Sequence, residues 1–406
     1  MSLPSHVRPP SPRRRAVSPR RRSVTTRSVA VGASVALVGL VALGCTKAES
    51  AAAPTTTAVT TTTTAPTTTT TEATTTTTAP AAPVWPLTGE SAADPAALNS
   101  PVVAVKVDNS PQARPHAGIN TADQVYELQV EGITRFMELY HSQSPDRVGP
   151  VRSARSSDLD LFGNLNRPLL IWSGGNPGVT QEINDAQANG LVVDVGHPSN
   201  AGHLYYRDDS GGRFIPHNLF TSVPQIRGEF TPADAGPPPA MFAFRKDGAA
   251  LPATAEDMPG MVIDFGLGVR VEYVWDAERS GWDRYQVDQN HARGDSAFVD
   301  ETGTQIAPQN VVILFLEYGQ DPVDGRSPKA YSVGNGEGVV LTQGKVVYVN
   351  WIRKGPGDQW NITERASGDP VALTPGRTWV ALPQSGADSV APIDAAGAAD
   401  LTQYRK

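Results

Sequence analysis

Residues 54–83 hold 18 threonines in 30 positions, with Pro54, Pro66, Pro80 and Pro83 among them and almost no apolar bulk. A stretch of this kind cannot bury enough surface to offset the entropy of ordering it, so it is expected to be disordered. It can join no core, and globular folding is confined to the chain from Trp85 onward. Fully extended, it would span about 100 Å. It reads as a tether whose threonines are also candidates for O-glycosylation.

The charge divides at the same place. The net −7 of the 406-residue chain mixes a basic head with an acidic body. Residues 1–47 carry nine Lys/Arg and no acid, and residues 86–406 carry a net −14. Such a body argues against a nucleic-acid partner, because neutralising phosphates needs a basic face. In the head, arginines 13–15, 20–22 and 27 precede an uncharged apolar run, Val29 to Leu43. That is the order of an export signal, expected over residues 1–44. The run is shorter than the roughly 20 residues of a membrane span. Counted from Ser28 to Thr46 it is 19 residues, so an uncleaved signal anchor is a second reading. Either way the body is expected on the extracytoplasmic face of the cell membrane.

The single cysteine closes the run in Ala42-Leu43-Gly44-Cys45. This resembles a bacterial lipobox, with Ala42 where leucine is usual. Cys45 is therefore expected to carry a lipid, with residues 45–85 as the tether. One cysteine also excludes an internal disulfide or a multi-cysteine metal site. Because Cys45 lies outside the body, a cysteine-nucleophile transpeptidase is excluded too.

Inside the body the strongest break is Thr231-Pro232-Ala233-Asp234-Ala235-Gly236-Pro237-Pro238-Pro239. Consecutive prolines deny donors to a helix or sheet interior. The expected domains are residues 86–235 and 240–385, with 386–406 as a tail. In the first, Val102–Val107 and Leu169–Trp172 read as short apolar strands. Val125–Glu131 and, after Gly132, Ile133–Tyr140 alternate with period two, as half-buried antiparallel strands do. Pro150–Phe162 and Thr180–Asn189 read as helices, the second ended by Gly190. In the second, six segments rich in Val, Ile and aromatics read as strands: 261–265, 269–275, 282–287, 311–318, 339–342 and 345–352. Turn signals separate them at 276–281, Gly334-Asn335-Gly336 and Gln343-Gly344. The expected class is α+β: a mixed N-terminal domain followed by a mostly antiparallel β domain.

The most suggestive chemistry is Gly149-Pro150-Val151-Arg152-Ser153-Ala154-Arg155-Ser156-Ser157-Asp158. On a helix, Arg152 and Arg155 would share one face near its positive end, where backbone N–H groups lack partners. Two guanidinium forks there suit a carboxylate or phosphate. Internal ion pairs to Glu127 or Glu131 are the competing reading. If strand register ran on through Gly132, Glu127, Gln129, Glu131 and Arg135 would mark one polar face. Carboxylates two apart on a strand are about 7 Å apart, within range of an acid/base pair. Asp108-Asn109-Ser110-Pro111 and Arg114-Pro115-His116 follow the first strand, where loops often carry ligand sites and Asx residues often cap turns. Tyr205-Tyr206-Arg207-Asp208-Asp209 leads to Pro216-His217-Asn218. No pair of body histidines has helical zinc spacing, although His197 and His203 share one loop. No metal and no cofactor is expected. Ser173-Gly174-Gly175-Asn176 is not a nucleophile elbow, and no P-loop is present.

Several sequence words stand in order along the body, which has no internal repeat: Pro101-Val102-Val103-Ala104-Val105-Lys106-Val107-Asp108-Asn109, Ala113-Arg114-Pro115, Ala122-Asp123-Gln124-Val125-Tyr126-Glu127, Glu131-Gly132-Ile133-Thr134-Arg135-Phe136, Val148-Gly149-Pro150-Val151-Arg152-Ser153-Ala154-Arg155, Arg207-Asp208 and Pro216-His217-Asn218-Leu219. Arg284, His291, Asn310-Val311, Gly325-Arg326 and Pro375-Gly376-Arg377-Thr378-Trp379-Val380 continue the series. With these the chain resembles the YerB-type lipoproteins of Gram-positive bacteria over roughly residues 86–385. The resemblance implies two family domains and no assigned catalytic residues, since the family's biochemical function is unknown. Glu131-Gly132 stands where the family usually has two glycines.

The expected function is a membrane-tethered binding or accessory module of the cell envelope. Its expected anion-binding cleft comprises Arg114, His116, Glu131, Arg135, Arg152, Arg155, Asp158, Arg207, His217 and Asn218. An anionic cell-wall polymer or an envelope protein is the expected partner. The alternative is an envelope hydrolase using Glu127, Glu131 or Asp108 as acid/base with His217.

Overall fold

The structure is a computed structural model that describes residues 82–406 apart from 199, 247, 267, 289–295 and 387–388. The export signal, Cys45, nearly all of the threonine tract and His291 lie outside the described residues. Among the described residues no helix is long and apolar enough to cross a membrane.

The central element of the first half is β1 (Val103–Asp108), buried along its whole length. A hairpin of β2 (Gln124–Gln129) and β3 (Thr134–Tyr140) lies beside it, β3 antiparallel to both β1 and β2. On the other side β4 (Leu169–Ile171) runs parallel to β1, and β5 (Val193–Asp194) parallel to β4. The crossover from β4 to β5 is α2 (Pro177–Ala188), preceded in the chain by α1 (Ser156–Phe162). The start of α2 lies three residues before the predicted one, because the Asn176 side chain accepts from the Val179 N–H at 2.9 Å and Pro177 suits the first turn. Helix α3 (Val223–Phe230) closes this half.

The second half contributes β6 (Gly260–Asp264), β7 (Arg270–Asp276), β8 (Gly281–Val287), β9 (Asn310–Leu314), β10 (Gly334–Thr342), β11 (Lys345–Arg353), β12 (Asn361–Glu364), β13 (Thr378–Leu382) and β14 (Val390–Ile393). The last residues, read as a tail, hold β14 and helix α4 (Ala395–Thr402). The class is α+β.

Two sheets organise these strands. An 11-stranded sheet runs β12-β11-β10-β9-β13-β2-β3-β1-β4-β5, with Glu256–Asp257 added beside β11. A four-stranded sheet runs β8-β7-β6-β14. The large sheet crosses the proline-rich joint, because β13 pairs parallel with β2. One hydrophobic cluster joins Val105, Val107 and Phe136 to Met261, Ile263, Tyr273 and Trp282, so the small sheet covers one face of the large one. A second cluster joins Ala104, Met137 and Leu139 to Leu161, Phe162, Val179 and Ile183, which places α1 and α2 on the other face. Coverage on both faces explains why β3 is buried throughout, and β2 up to Leu128, rather than half-buried as their alternation suggested.

Two local expectations are corrected. Residues 150–155 are extended, not the start of a helix. The Val151 N–H donates to the Leu219 carbonyl at 2.7 Å, and the Arg152 N–H to the Lys106 carbonyl at 2.8 Å. This ladder beside β1 outcompetes helix formation until Ser156. Gly334-Asn335-Gly336 opens β10 instead of forming a turn. A Cβ at Gly336 would stand 2.7 Å from the Trp351 indole nitrogen, so glycine there permits close packing within the sheet. Gln343-Gly344, with φ of 49° and 71°, does form the tight turn between β10 and β11.

Candidate functional site

Pairing directions place a row of strand ends on one edge of the large sheet. Strands β1, β2, β4, β5, β9 and β13 all run the same way. Their C-terminal ends, with the loops that succeed them, share that edge. Ligands of open α/β sheets commonly bind outside such carboxyl ends.

At the end of β1, residues two apart share a face, and directly opposed residues of β3 share it too. The register Lys106↔Met137 and Asp108↔Arg135 therefore puts Lys106, Asp108 and Arg135 together. The hairpin pairs Glu127 with Phe136 and Leu128 with Arg135, odd numbers against even. Its turn thus inverts parity, and Arg135 lies on the face opposite Glu127. The expected continuous polar face does not exist, because the chain folds back at residues 130–133 rather than running on.

Asp108 is the hub of the cluster. Its side chain is 1% exposed, and Oδ2 receives the Arg152 Nε–H at 3.0 Å and His217 Nδ1 at 2.7 Å. Oδ1 accepts the Ser110 N–H at 3.0 Å, and Ser110 Oγ lies 2.9 Å from the same His217 nitrogen. Burial would raise this carboxyl. The His217 hydrogen bond, the nearby Arg135 charge and the Ser110 and Arg152 contacts outweigh it and hold Asp108 far below the usual carboxylate range. With Asp108 ionised and acceptor-only, the His217 Nδ1–H donates to its Oδ2.

Arg155 forks onto Glu131, Nε–Oε1 at 2.6 Å and Nη2–Oε2 at 2.8 Å. Partial burial would raise Glu131, but Arg155 and the Ser327 hydroxyl bring it down to about 2. Arg135 is 6% exposed and poorly served. Its contacts are 3.5 Å to the Ser153 carbonyl and 3.8 Å to Glu131, and its buried Nε has no partner among the described residues. Burial, and then Arg155 close by, lower its guanidinium to about 10. Beneath them the fully buried Lys106 ammonium meets Asp158 at 2.6 Å, while the Arg155 backbone N–H donates to the other Asp158 oxygen at 2.7 Å. Arg152 differs from its neighbours. Its side chain is 23% exposed, and among the described residues only Nε of its guanidinium has a protein partner.

Glu131 also borders an open cavity of about 790 Å³ where the two halves meet, lined by Gln129, Phe265, Tyr318, Arg326 and Gln384 among others.

The remaining candidates lie elsewhere. Arg114 turns to the other face, donating to Asp288 at 2.6 Å and to Asn109 Oδ1 at 3.1 Å. His116 is fully buried between Phe136 and Phe298, and burial lowers it to about 3. Arg207 and Asn218 bond to each other at 2.7 Å across a small hairpin. Glu127 is fully buried and saturated. It accepts Arg284 Nη2 at 3.0 and 3.1 Å, the Trp379 indole N–H at 2.9 Å and the Thr134 hydroxyl at 2.8 Å. His203 bonds Glu229 at 2.9 Å and His197 packs on Tyr205. Among the described residues no group of three His, Cys, Asp or Glu side chains is placed to hold a metal ion.

The site thus gathers Glu131, Arg135, Arg152, Arg155, Asp158 and His217 around Asp108 and Lys106. Lys106 escaped the sequence reading and Asp108 entered it mainly as a turn cap. The available signal was a lysine inside an apolar strand followed two residues later by aspartate.

The comparisons agree with this architecture. Residues 87–235 match the N-terminal domain of a protein family of unknown function (DUF3048), and residues 261–380 match its C-terminal domain. The chain is 29% identical over 308 residues to the Bacillus subtilis (strain 168) protein named "Putative lipoprotein YerB", covering 73% of this chain and 84% of that one. A crystal structure of YerB protein from Bacillus subtilis superposes with a TM-score of 0.62 at 26% identity, over 77% of this chain and 99% of that one. With both family domains matched in order across one shared sheet, the chain belongs to the DUF3048 family of YerB-like proteins.

Proposed function

We propose that this protein is a lipid-anchored binding module on the extracytoplasmic face of the cell membrane, and that it holds an anionic envelope component at Arg152. The name of the Bacillus subtilis relative supports the anchor, as does the placement of Cys45 at the end of an apolar run. Residues 1–44 act as the export signal, 45–85 as the tether, and 86–235 and 240–385 as the two family domains.

The observation that carries the binding role is the state of Arg152. Its Nε is spent on Asp108, which fixes the guanidinium plane. Both Nη groups, on a side chain 23% exposed, have no partner among the described residues and can serve as a fork for a phosphate or carboxylate. Arg135, buried and short of acceptors, adds positive field behind it. Arg155 is committed to Glu131 and serves to position that carboxylate.

Titration calorimetry of the purified chain with inorganic phosphate and with a polyglycerol-phosphate polymer tests this reading. Arg152→Ala should weaken both by roughly tenfold or more, the worth of a charge-assisted fork. Equal binding by wild type and Arg152→Ala refutes it.

A further inference from the structure

The anion seat at Arg152 has an apolar rim. Phe214 and Ile215 are 54% and 65% exposed, the most exposed large apolar side chains among the described residues. They are consecutive, and their segment is anchored. Arg213, just before them, donates to the carbonyls of Ser210 at 3.0 Å and Pro115 at 2.6 Å. Just after them, the His217 N–H donates to the Phe214 carbonyl at 2.7 Å. Their exposure is therefore built into the fold, and exposed apolar groups of this kind mark an interaction surface.

The rim is continuous with the seat. The Phe214 ring meets the His217 ring edge-on at 5.4 Å, and His217 shares the Asp108 Oδ2 oxygen with Arg152. One imidazole thus separates the cationic fork from the apolar pair. Arg147, on the far side of the hairpin, is spent on Asp208 and Glu301, whereas the Nη groups of Arg152 have no partner among the described residues.

We infer that the ligand is an amphipathic phosphate of the membrane: a lipid whose phosphate sits on Arg152 beside His217 and whose first chain carbons lie against Phe214 and Ile215. This rests on the anion-binding reading above and names its ligand class.

Calorimetry of the purified full chain with inorganic phosphate and with octyl phosphate, kept below its micellar concentration, tests the chemistry. Octyl phosphate should bind tighter by roughly tenfold or more, the worth of burying part of two apolar side chains. Ile215→Ser leaves the Phe214–His217 contact in place. It should bind inorganic phosphate as the wild type does and lose several-fold of the preference. Phosphatidylcholine vesicles with and without phosphatidic acid test the source. Cosedimentation should need phosphatidic acid and should weaken in Ile215→Ser. Equal affinity for the two phosphates, or a preference that survives Ile215→Ser, overturns the inference. Octyl phosphate binding without any dependence on phosphatidic acid overturns the membrane source. A chain that binds neither phosphate removes the anion seat itself, a separate outcome from loss of the preference alone.

Discussion

Replacing Glu127 tests whether the two family domains are one folding unit. Glu127 lies in the first matched region, and its partners Arg284 and Trp379 lie in the second. In Glu127→Leu the fully buried Arg284 keeps its stack on Phe298 at 4.0 Å and Trp379 at 4.6 Å, and its bond to Gln286 at 2.8 Å. It loses the carboxylate that pairs with it, and its Nε and Nη1 already lack partners among the described residues. Breaking a buried pair from one side costs about 3–5 kcal/mol, and the orphaned indole N–H adds about 1 kcal/mol. The expected total is about 4–6 kcal/mol, on the order of 10 °C in Tm. Glu127→Leu with Arg284→Met should recover most of the loss, because two apolar side chains carry no unpaired charge. Urea unfolding followed by tryptophan fluorescence and far-UV circular dichroism reads both quantities. A single-variant loss under about 1.5 kcal/mol, or two separate transitions in the wild type, would refute the argument.

Other expectations rest on further buried groups. Burial pushes Glu138 up to about 8, only partly offset by the Tyr140 hydroxyl at 2.6 Å. Its raised value means that the folded state keeps a proton the unfolded chain has lost, so this contribution to stability drains as pH rises from about 4.5 to about 8. The stability difference between wild type and Glu138→Gln should change by about 4–5 kcal/mol across that window in urea titrations. A pH-independent difference would count against it. Lys106→Met should cost about 3–5 kcal/mol by leaving Asp158 buried without its cation, while Lys106→Met with Asp158→Leu restores most of it; a single variant as stable as wild type contradicts the pairing.

The sequence by itself determined a good deal. Alternation and β-rich composition located most strands of both halves, since period two is a local property of the backbone. The Gln343-Gly344 turn was legible because it needs positive φ at both positions. The words around Arg152, Arg155 and His217 carried the family resemblance and pointed to the region where the site lies. What the sequence could not decide was non-local. The faces of β2 and β3 depend on how far the hairpin folds back, and that register puts Arg135 with Asp108 and away from Glu127. Helix propensity around Arg152 was overridden by hydrogen bonds to Lys106 and Leu219, partners far away in the chain. Glu127 looked available for chemistry until the second half closed over it with Arg284 and Trp379. Asp108 read as a turn cap because its defining partners, Arg152 and His217, lie 44 and 109 residues further on. Local pattern sets which groups a strand carries, whereas only tertiary packing decides which of them are paired and which, like the Nη groups of Arg152, have no partner among the described residues.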